Sequence, residues 1–167
     1  MTTTLFTNAH IATGEPGSTA ASTLPLQDIL VTDGVFTAFG PGLAQQYEAQ
    51  GGDLAAIEVV DLGGKLVCPP FCDTHLHLDY VFTARKPGAV NESGTLFEGI
   101  QRWSETKSDL TVDEIKQRAK IGIKKEMLHG VQLIRSHADV TDPNLTSLKA
   151  LLELKEELKD TVTLQIV

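Results

Sequence analysis

The 167-residue sequence predicts an α/β fold in two parts, a small all-β part over residues 1–65 and a parallel sheet with covering helices over residues 66–167. In the first part, short segments of alternating polar and apolar residues are separated by turn residues. In the second part, apolar segments alternate with helical patterns. Strand, helix, strand, helix, strand is the order of a parallel βαβαβ array.

Turn residues delimit the strands of the first part. Four segments have the strand pattern: residues 5–11, 28–31, 35–40 and 57–62. Asp33-Gly34 separates the second segment from the third, and Asp-Gly favours a two-residue hairpin turn because both central residues adopt positive φ. Residues 14–23 are rich in Gly, Ser, Thr and Ala, which is typical of a surface loop.

Capping residues delimit the helices of the second part. Thr111 and Glu114 form the pattern of a capping box, which predicts a helix from there to His129-Gly130. Asp142-Pro143 predicts the start of another helix, with the acid as cap and proline at the first helical position. Apolar residues at helical spacing predict a short helix over 96–103. The predicted strands are a buried one leading from the apolar run 65–71 into His75, then residues 131–136 and 161–167.

His75 and His77 are the strongest candidates for a functional site. In an extended segment, residues i and i+2 point to the same side, so both imidazoles can reach one metal ion. A catalytic metal site needs further protein ligands and one open position. The same spacing also occurs in ordinary strands. This pair, however, stands at the end of a strand and before the polar loop 80–95, the place where parallel α/β barrels build their active sites.

The residues around this pair resemble a known family. Residues 67–79, with His75-Leu76-His77-Leu78-Asp79, are similar to the first metal-binding strand of the amidohydrolase superfamily. Further segments resemble successive landmarks of bacterial cytosine deaminases: residues 93–103, 135–140 and 164–167. The resemblance implies a partial (β/α)₈ TIM-like barrel, comprising its first three strands, after part of a small β-sandwich domain. A complete barrel needs roughly 250 residues, so the resemblance implies the N-terminal part of such an enzyme.

The resemblance also implies an activity. The parent protein is expected to be a metal-dependent hydrolytic deaminase of a cytosine-like aminopyrimidine. One divalent ion, zinc or iron, would be held by His75, His77 and residues that this chain does not contain. The chain contains no candidate for the general acid or base, so we expect it to be inactive without the remainder of the barrel. Members of the family often assemble, which implies a homo-oligomer.

Other residues have less specific expectations. The resemblance places Leu96 at an apolar wall of the substrate pocket, although helical spacing alone makes it a core residue. His137 and Asp139 follow the second barrel strand. With Asp79, they are expected behind the metal ligands or at the pocket rim. The alternative for His-x-Asp at that place is a loop-stabilising role.

Two alternatives to this function remain. The chain could be a non-catalytic binding or assembly module that keeps an amidohydrolase front half. The parent could also be an amidohydrolase for another ring, such as a triazine or a creatinine-like compound. Residues 80–90 depart from the Thr/Gln-rich loop typical of cytosine deaminases, and this departure leaves the substrate open.

The remaining histidines and the cysteines have structural interpretations. His10 has no neighbour at ligand spacing, and His129 suits the end of a helix because a cation there is favoured by the helix dipole. Cys68 and Cys72 are separated by Pro-Pro-Phe, too far apart in an extended chain for a disulfide. We expect two buried thiols.

Composition excludes several function classes. Fourteen basic and 22 acidic residues give a net charge of −8 without a basic cluster, which argues against nucleic-acid binding. No segment resembles a signal peptide or approaches the roughly 18 apolar residues of a membrane span, so we expect a cytoplasmic protein without membrane contact. Motifs for phosphate loops and serine hydrolases are absent from the sequence.

Overall fold

The chain divides into two compact units, residues 1–69 and 70–167. The computed structural model describes residues 2–12 and 24–167, so the loop predicted over 14–23 lies outside the described residues. Each unit has its own sheet, and helices are present in both. The predicted mixed α/β fold is therefore confirmed.

Unit 1 contains a five-stranded sheet. Its strands are β1 (Thr3–Ile11), β2 (Leu26–Thr32), β3 (Val35–Gly40), β4 (Glu58–Asp61) and β5 (Leu66–Val67). The order is β3-β2-β1-β4, with β5 also paired to β1. The β2–β3 hairpin turns through Asp33 and Gly34, whose φ angles are 50° and 78°. This confirms the predicted Asp-Gly turn.

The helix α1 (Leu43–Ala49) was not predicted, because this unit was expected to be all-β. Its cap residue, Gly42, has no side chain to accept a hydrogen bond from the first turn. Asp28 of β2 replaces it: one carboxylate oxygen accepts from Leu43 N at 2.9 Å and the other from Asn8 N at 3.1 Å. The helix start thus depends on a contact 15 residues away in sequence, which local patterns do not reveal.

Unit 2 is a three-stranded parallel sheet covered by helices. The strands are β6 (Phe71–Leu76), β7 (Val131–Ser136) and β8 (Thr163–Ile166), in the order β6-β7-β8. The helices are α2 (Leu96–Lys107), α3 (Val112–Leu128) and α4 (Thr146–Glu157). The predicted βαβαβ array is confirmed. Apolar side chains of the sheet, of α3 and α4, and of two residues next to the strands form the core: Leu78, Ala119, Ile123, Ile134, Leu151, Leu154, Val162 and Leu164.

Helix α3 has the predicted ends. Thr111 Oγ1 accepts from Glu114 N at 3.2 Å, and Glu114 Oε2 accepts from Thr111 N at 3.0 Å, so the capping box is confirmed. Gly130 has a φ of 85°, a conformation that non-glycine residues rarely adopt. The exposed His129 donates to the carbonyl oxygen of Lys125 at 2.7 Å, which agrees with a structural role.

The predicted start of the helix at Asp142-Pro143 is wrong. Asp142 accepts from Asn144 N at 2.9 Å, which forms a side-chain turn and delays the helix until Thr146. Asp142 nevertheless accepts from Thr146 N at 3.0 Å and so satisfies one amide of the first turn. Leu145, which precedes the helix, has a φ of 52°.

Several apolar residues and both cysteines are exposed. Helical spacing alone favours a core position for the apolar residues of α2, but Leu96, Phe97 and Ile100 are 75%, 83% and 53% exposed. Strand β6 is not the buried strand expected, and Cys68 and Cys72 are exposed rather than buried thiols. Cys72 is exposed because the helices pack on the sheet face of Ile134, whereas Cys72 pairs with the exposed Leu133.

Within residues 2–12 and 24–167, no helix is both long enough and apolar enough to cross a membrane.

Thr111→Ala should reduce the free energy of unfolding by about 1 kcal/mol, because it removes the side chain that accepts from the first turn of α3. Urea unfolding followed by the fluorescence of Trp103, the sole tryptophan of the chain, measures this change. Thr161→Ala is the matched control, since that residue is exposed and lies outside the helices, and it should shift stability by less than about 0.5 kcal/mol. Equal effects of the two substitutions would contradict the capping role.

Candidate functional site

The carboxyl ends of β6 and β7 are joined by three hydrogen bonds. His137 N donates to the carbonyl oxygen of Leu76 at 2.8 Å, and Leu78 N donates to Ser136 Oγ at 3.0 Å. Asp139 N donates to Asp79 Oδ2 at 2.8 Å. Because parallel strands bring their carboxyl ends to one edge, the two segments that sequence analysis singled out lie side by side.

Three histidine rings meet at this edge. The ring centroids of His75 and His77 are 5.3 Å apart, and His137 lies 4.1 Å from His75 and 5.4 Å from His77. His75 is exposed and the other two are partly buried. Burial lowers the pKa of His77, and the neighbouring imidazoles add to this effect, whereas Asp79 opposes it. The neutral imidazole that results is the form that binds metals.

Ring spacing is compatible with two histidines sharing one metal ion. At 5.3 Å for His75 and His77, or 5.4 Å for His77 and His137, each ring can direct one nitrogen at an ion about 2.0–2.1 Å away. The 4.1 Å contact between His75 and His137 is a stacking distance instead. No group of three or more His, Cys, Asp or Glu side chains suited to a metal occurs in residues 2–12 and 24–167. The described residues therefore supply at most a part of a ligand set.

Asp79 lies beneath the histidines rather than at a rim. Its side chain is fully buried, and Oδ1 has no hydrogen-bond partner within the described structure. Burial raises the pKa of this carboxyl, although the hydrogen bond from Asp139 N and the charge of His77 oppose the change. The nearby Arg118 donates to the carbonyl oxygens of Asp79, at 3.1 Å, and Val81, at 2.7 Å.

Asp139 joins the strand end to helix α2. Its Oδ2 accepts from Trp103 Nε1 and from Lys107 Nζ, the latter at 3.0 Å, and its Oδ1 accepts from Thr141 N at 2.7 Å. Partial burial raises the pKa of Asp139, but the hydrogen bonds from Thr141, Lys107 and Trp103 outweigh it and hold the pKa well below its usual range. The carboxylate thus remains charged and fully engaged, with only 14% of its side chain exposed.

An open cavity of about 1180 Å³ lies over this edge. His75 and His77 form part of its wall, and Leu96, 75% exposed, forms another part. Asp139 contributes to its edge. The structure therefore places the two predicted ligands and Leu96 on one cavity, with His137 beside the ligands and Asp79 buried below.

Tyr80 and Trp103 are site residues that the sequence pattern does not identify individually. Both line the cavity, and the Tyr80 ring lies 4.8 Å from His77 and 5.1 Å from Trp103. The unusual loop 80–90 was the one available signal for Tyr80. The spacing of Trp103 predicted a core residue, and its contact with Asp139 spans 36 residues of sequence.

The loop before α2 is held by Glu98. Its Oε1 accepts from Glu92 N at 3.1 Å, and its Oε2 accepts from both Ser93 N, at 2.7 Å, and Ser93 Oγ. The Ser93 hydroxyl and amide, with the Glu92 amide, lower the pKa of Glu98 to about 2. The ionised carboxylate therefore fixes the turn that leads to Leu96.

Comparisons with known proteins agree on one family. Residues 58–155 match the amidohydrolase family. Over 112 residues the chain is 35% identical to N-isopropylammelide isopropyl amidohydrolase of Pseudomonas sp. (strain ADP), an alignment covering 65% of this chain and 28% of the relative. Over 144 residues it is 26% identical to pterin deaminase of Rhizobium rhizogenes (strain K84 / ATCC BAA-868), covering 84% and 30%.

A solved structure gives a match over nearly the whole chain. It is 5-methylcytosine deaminase from Klebsiella pneumoniae liganded with 5-fluorocytosine, at 38% identity and a TM-score of 0.77. The match covers 97% of this chain and 35% of that protein. The chain thus spans about a third of the length of the proteins that it matches.

Glu98→Gln should destabilise unit 2 in a pH-dependent manner. Because folding lowers the pKa of Glu98 from 4.5 to about 2, the ionised form contributes stability above about pH 4.5, and this contribution is lost as the pH falls toward about 2. The stability difference between the parent chain and E98Q, measured by urea unfolding, should shrink across that window. Glu92→Gln removes an exposed carboxylate without a hydrogen bond among the described residues, and it controls for the loss of charge. A difference that is constant with pH would contradict the assignment.

Proposed function

Because the chain belongs to the amidohydrolase family, we propose that the protein containing it is a metal-dependent hydrolase that deaminates a cytosine-like aminopyrimidine. The observation that supports this most directly is the pair His75 and His77, which face the cavity at the carboxyl end of β6. The match to a cytosine-type deaminase at 38% identity favours this ring over others.

We assign His75 and His77 as ligands of one divalent ion, zinc or iron. Each imidazole offers one ring nitrogen, a donor that suits both metals. The bound ion would supply Lewis-acid activation of water near neutral pH. Because two ligands bind a metal weakly, the proposal includes further ligands from outside these 167 residues.

The other site residues have supporting roles in this proposal. Leu96 forms an apolar wall for the substrate ring, since it lies on the cavity and is 75% exposed. Asp79 and Asp139 hold the strand ends that carry the histidines, by the hydrogen bond between them at 2.8 Å. His137 packs against both proposed ligands and limits their movement.

The reaction is hydrolysis of an exocyclic carbon–nitrogen bond. The oxygen of water forms a bond to the amino-bearing ring carbon, the carbon–nitrogen bond breaks, and a proton passes to the departing amine, which leaves as ammonia. We assign no general acid or base within this chain. The chain spans about a third of its relatives, so activity is proposed for the longer protein and inactivity for these 167 residues alone.

The proposal also assigns each part of the chain to a domain of the longer protein. Residues 66–167 would form the first three strands of a (β/α)₈ barrel, and residues 1–65 would form part of a β-sandwich domain. The exposed sheet face of Leu133 is then a face that the remaining strands would cover. We also propose that the protein is cytoplasmic and forms a homo-oligomer, as the family resemblance implies.

The second candidate function is hydrolysis of a substrate with a different ring. The 35% identity to N-isopropylammelide isopropyl amidohydrolase favours it, because this relative has a different named substrate. The same histidine pair would serve either reaction, and a panel of substrates distinguishes the two candidates.

The function is tested by ammonia release from the full-length protein containing these residues, loaded with zinc or iron. The panel is cytosine, 5-methylcytosine, pterin and N-isopropylammelide, the last followed by loss of its alkylamine. We expect turnover of the cytosine-type rings. Turnover of N-isopropylammelide alone would favour the second candidate, and turnover of none would contradict the proposal.

Metal content should depend on the histidine pair. His75→Ala and His77→Ala should each remove most of the bound metal and reduce kcat by at least about a hundredfold, because a ligand is lost. His129→Ala is the matched control, since this exposed histidine ends α3, and both metal content and kcat should stay at parent values. Elemental analysis of dialysed protein and steady-state kinetics give the two readouts. Full metal content in both H75A and H77A would rule out the assignment.

A further inference from the structure

Tyr80 occupies a position that the proposed roles above do not use. Its ring lies 4.8 Å from His77, tilted by 30°, and forms part of the cavity wall. The residue is 38% exposed, and its hydroxyl group has no hydrogen-bond partner among the described residues. An aromatic ring with a free phenol therefore lies next to a proposed metal ligand.

The Trp103 ring packs against the Tyr80 ring. The two ring centroids are 5.1 Å apart at an angle of 45°, a geometry typical of favourable aromatic pairs. Trp103 also packs against the small core cluster of Leu110, Ile115 and Ala150. Trp103 thus contacts both a packed core and Tyr80.

Asp139 fixes the indole in place. It accepts from Trp103 Nε1, and Lys107 Nζ lies 3.0 Å from the same carboxylate oxygen. Asp139 N in turn donates to the buried Asp79. Through this series of contacts, the position of Tyr80 depends on the same strand ends that carry the histidines.

We propose that Tyr80 is a specificity-determining residue of the active site, held by Trp103 and Asp139 as positioning residues. The inference rests on the proposed function, and it concerns the width of the cavity beside His77. In this proposal the Tyr80 ring, 4.8 Å from His77, restricts the space directly beside that ligand and so favours a single six-membered aminopyrimidine ring over a fused two-ring substrate. Its hydroxyl group donates a hydrogen bond to the exocyclic carbonyl oxygen or to a ring nitrogen of the substrate.

Substrate preference tests this role in the full-length enzyme. Tyr80→Ala should raise the ratio of kcat/KM for pterin over cytosine by at least about tenfold, because it widens the wall beside His77. Tyr80→Phe should lower kcat/KM for cytosine and for pterin alike, about tenfold, and so keep that ratio, because it removes only a hydrogen bond that both substrates can accept. Metal content should stay at the parent value in both variants.

Tyr47→Ala is the matched control, since Tyr47 is the other tyrosine of the chain and lies in α1 of unit 1. Its substrate ratio should equal that of the parent. A pterin-to-cytosine ratio unchanged in Y80A would overturn the inference while leaving the proposed function intact. If H75A loses metal and activity while Y80A keeps the parent substrate ratio, the inference is likewise overturned and the proposed function stands.

The positioning role has a spectroscopic test in the 167-residue chain, where Trp103 is the only tryptophan. Asp139→Ala should shift the Trp103 emission maximum to longer wavelength, because the indole loses its acceptor and gains contact with water. Asp139→Asn keeps an acceptor oxygen and should shift it less. Circular dichroism verifies the fold of each variant. Unchanged emission in a folded D139A variant would contradict the positioning role, whatever the enzyme's substrate.

Discussion

The parallel pairing of β6 with β7 is the constraint on which the site depends. Just beyond the strand ends, the amides of Leu78 and Asp139 need acceptors, and the fully buried Ser136 and Asp79 supply them. Leaving a buried donor unpaired costs about 1–3 kcal/mol. The two strand ends are therefore held in register, and the three histidine rings meet because their backbones cannot move apart.

The same arrangement buries a carboxylate at some cost. Asp79 is fully buried with one unpaired oxygen, a situation that proteins avoid unless neighbouring charges compensate. Arg118 provides such a charge, since its guanidinium bonds the backbone oxygens of residues 79 and 81, and His77 provides a polar neighbour. Asp79 is thus tolerated because it connects two strand ends, and its burial follows from that position.

Local chemistry explains which features were predictable from sequence. The Asp33-Gly34 turn, the Thr111 capping box and the parallel strand order were predictable, because each depends on a few neighbouring residues or on the order of elements. Helix α1 was missed since its cap comes from Asp28. For the site, the His75-x-His77 spacing identified the strand end that faces the cavity, but the Trp103–Asp139 contact joins residues 36 positions apart, and no periodicity encodes it.

The wall of the cavity is built on a loop and a helix start, which are usually the more mobile parts of a structure. Here hydrogen bonds limit that freedom. Asn91 donates to the carbonyl oxygen of Thr95 at 2.9 Å and accepts from Gly94 N at 2.9 Å, while Glu98 bonds the preceding amides. At the other end of α2, Asp139 holds Trp103 and Lys107. A helix fixed at both ends keeps its cavity-lining side chains at a constant distance from the histidines. Residues that must distinguish one ring from another need such a fixed position.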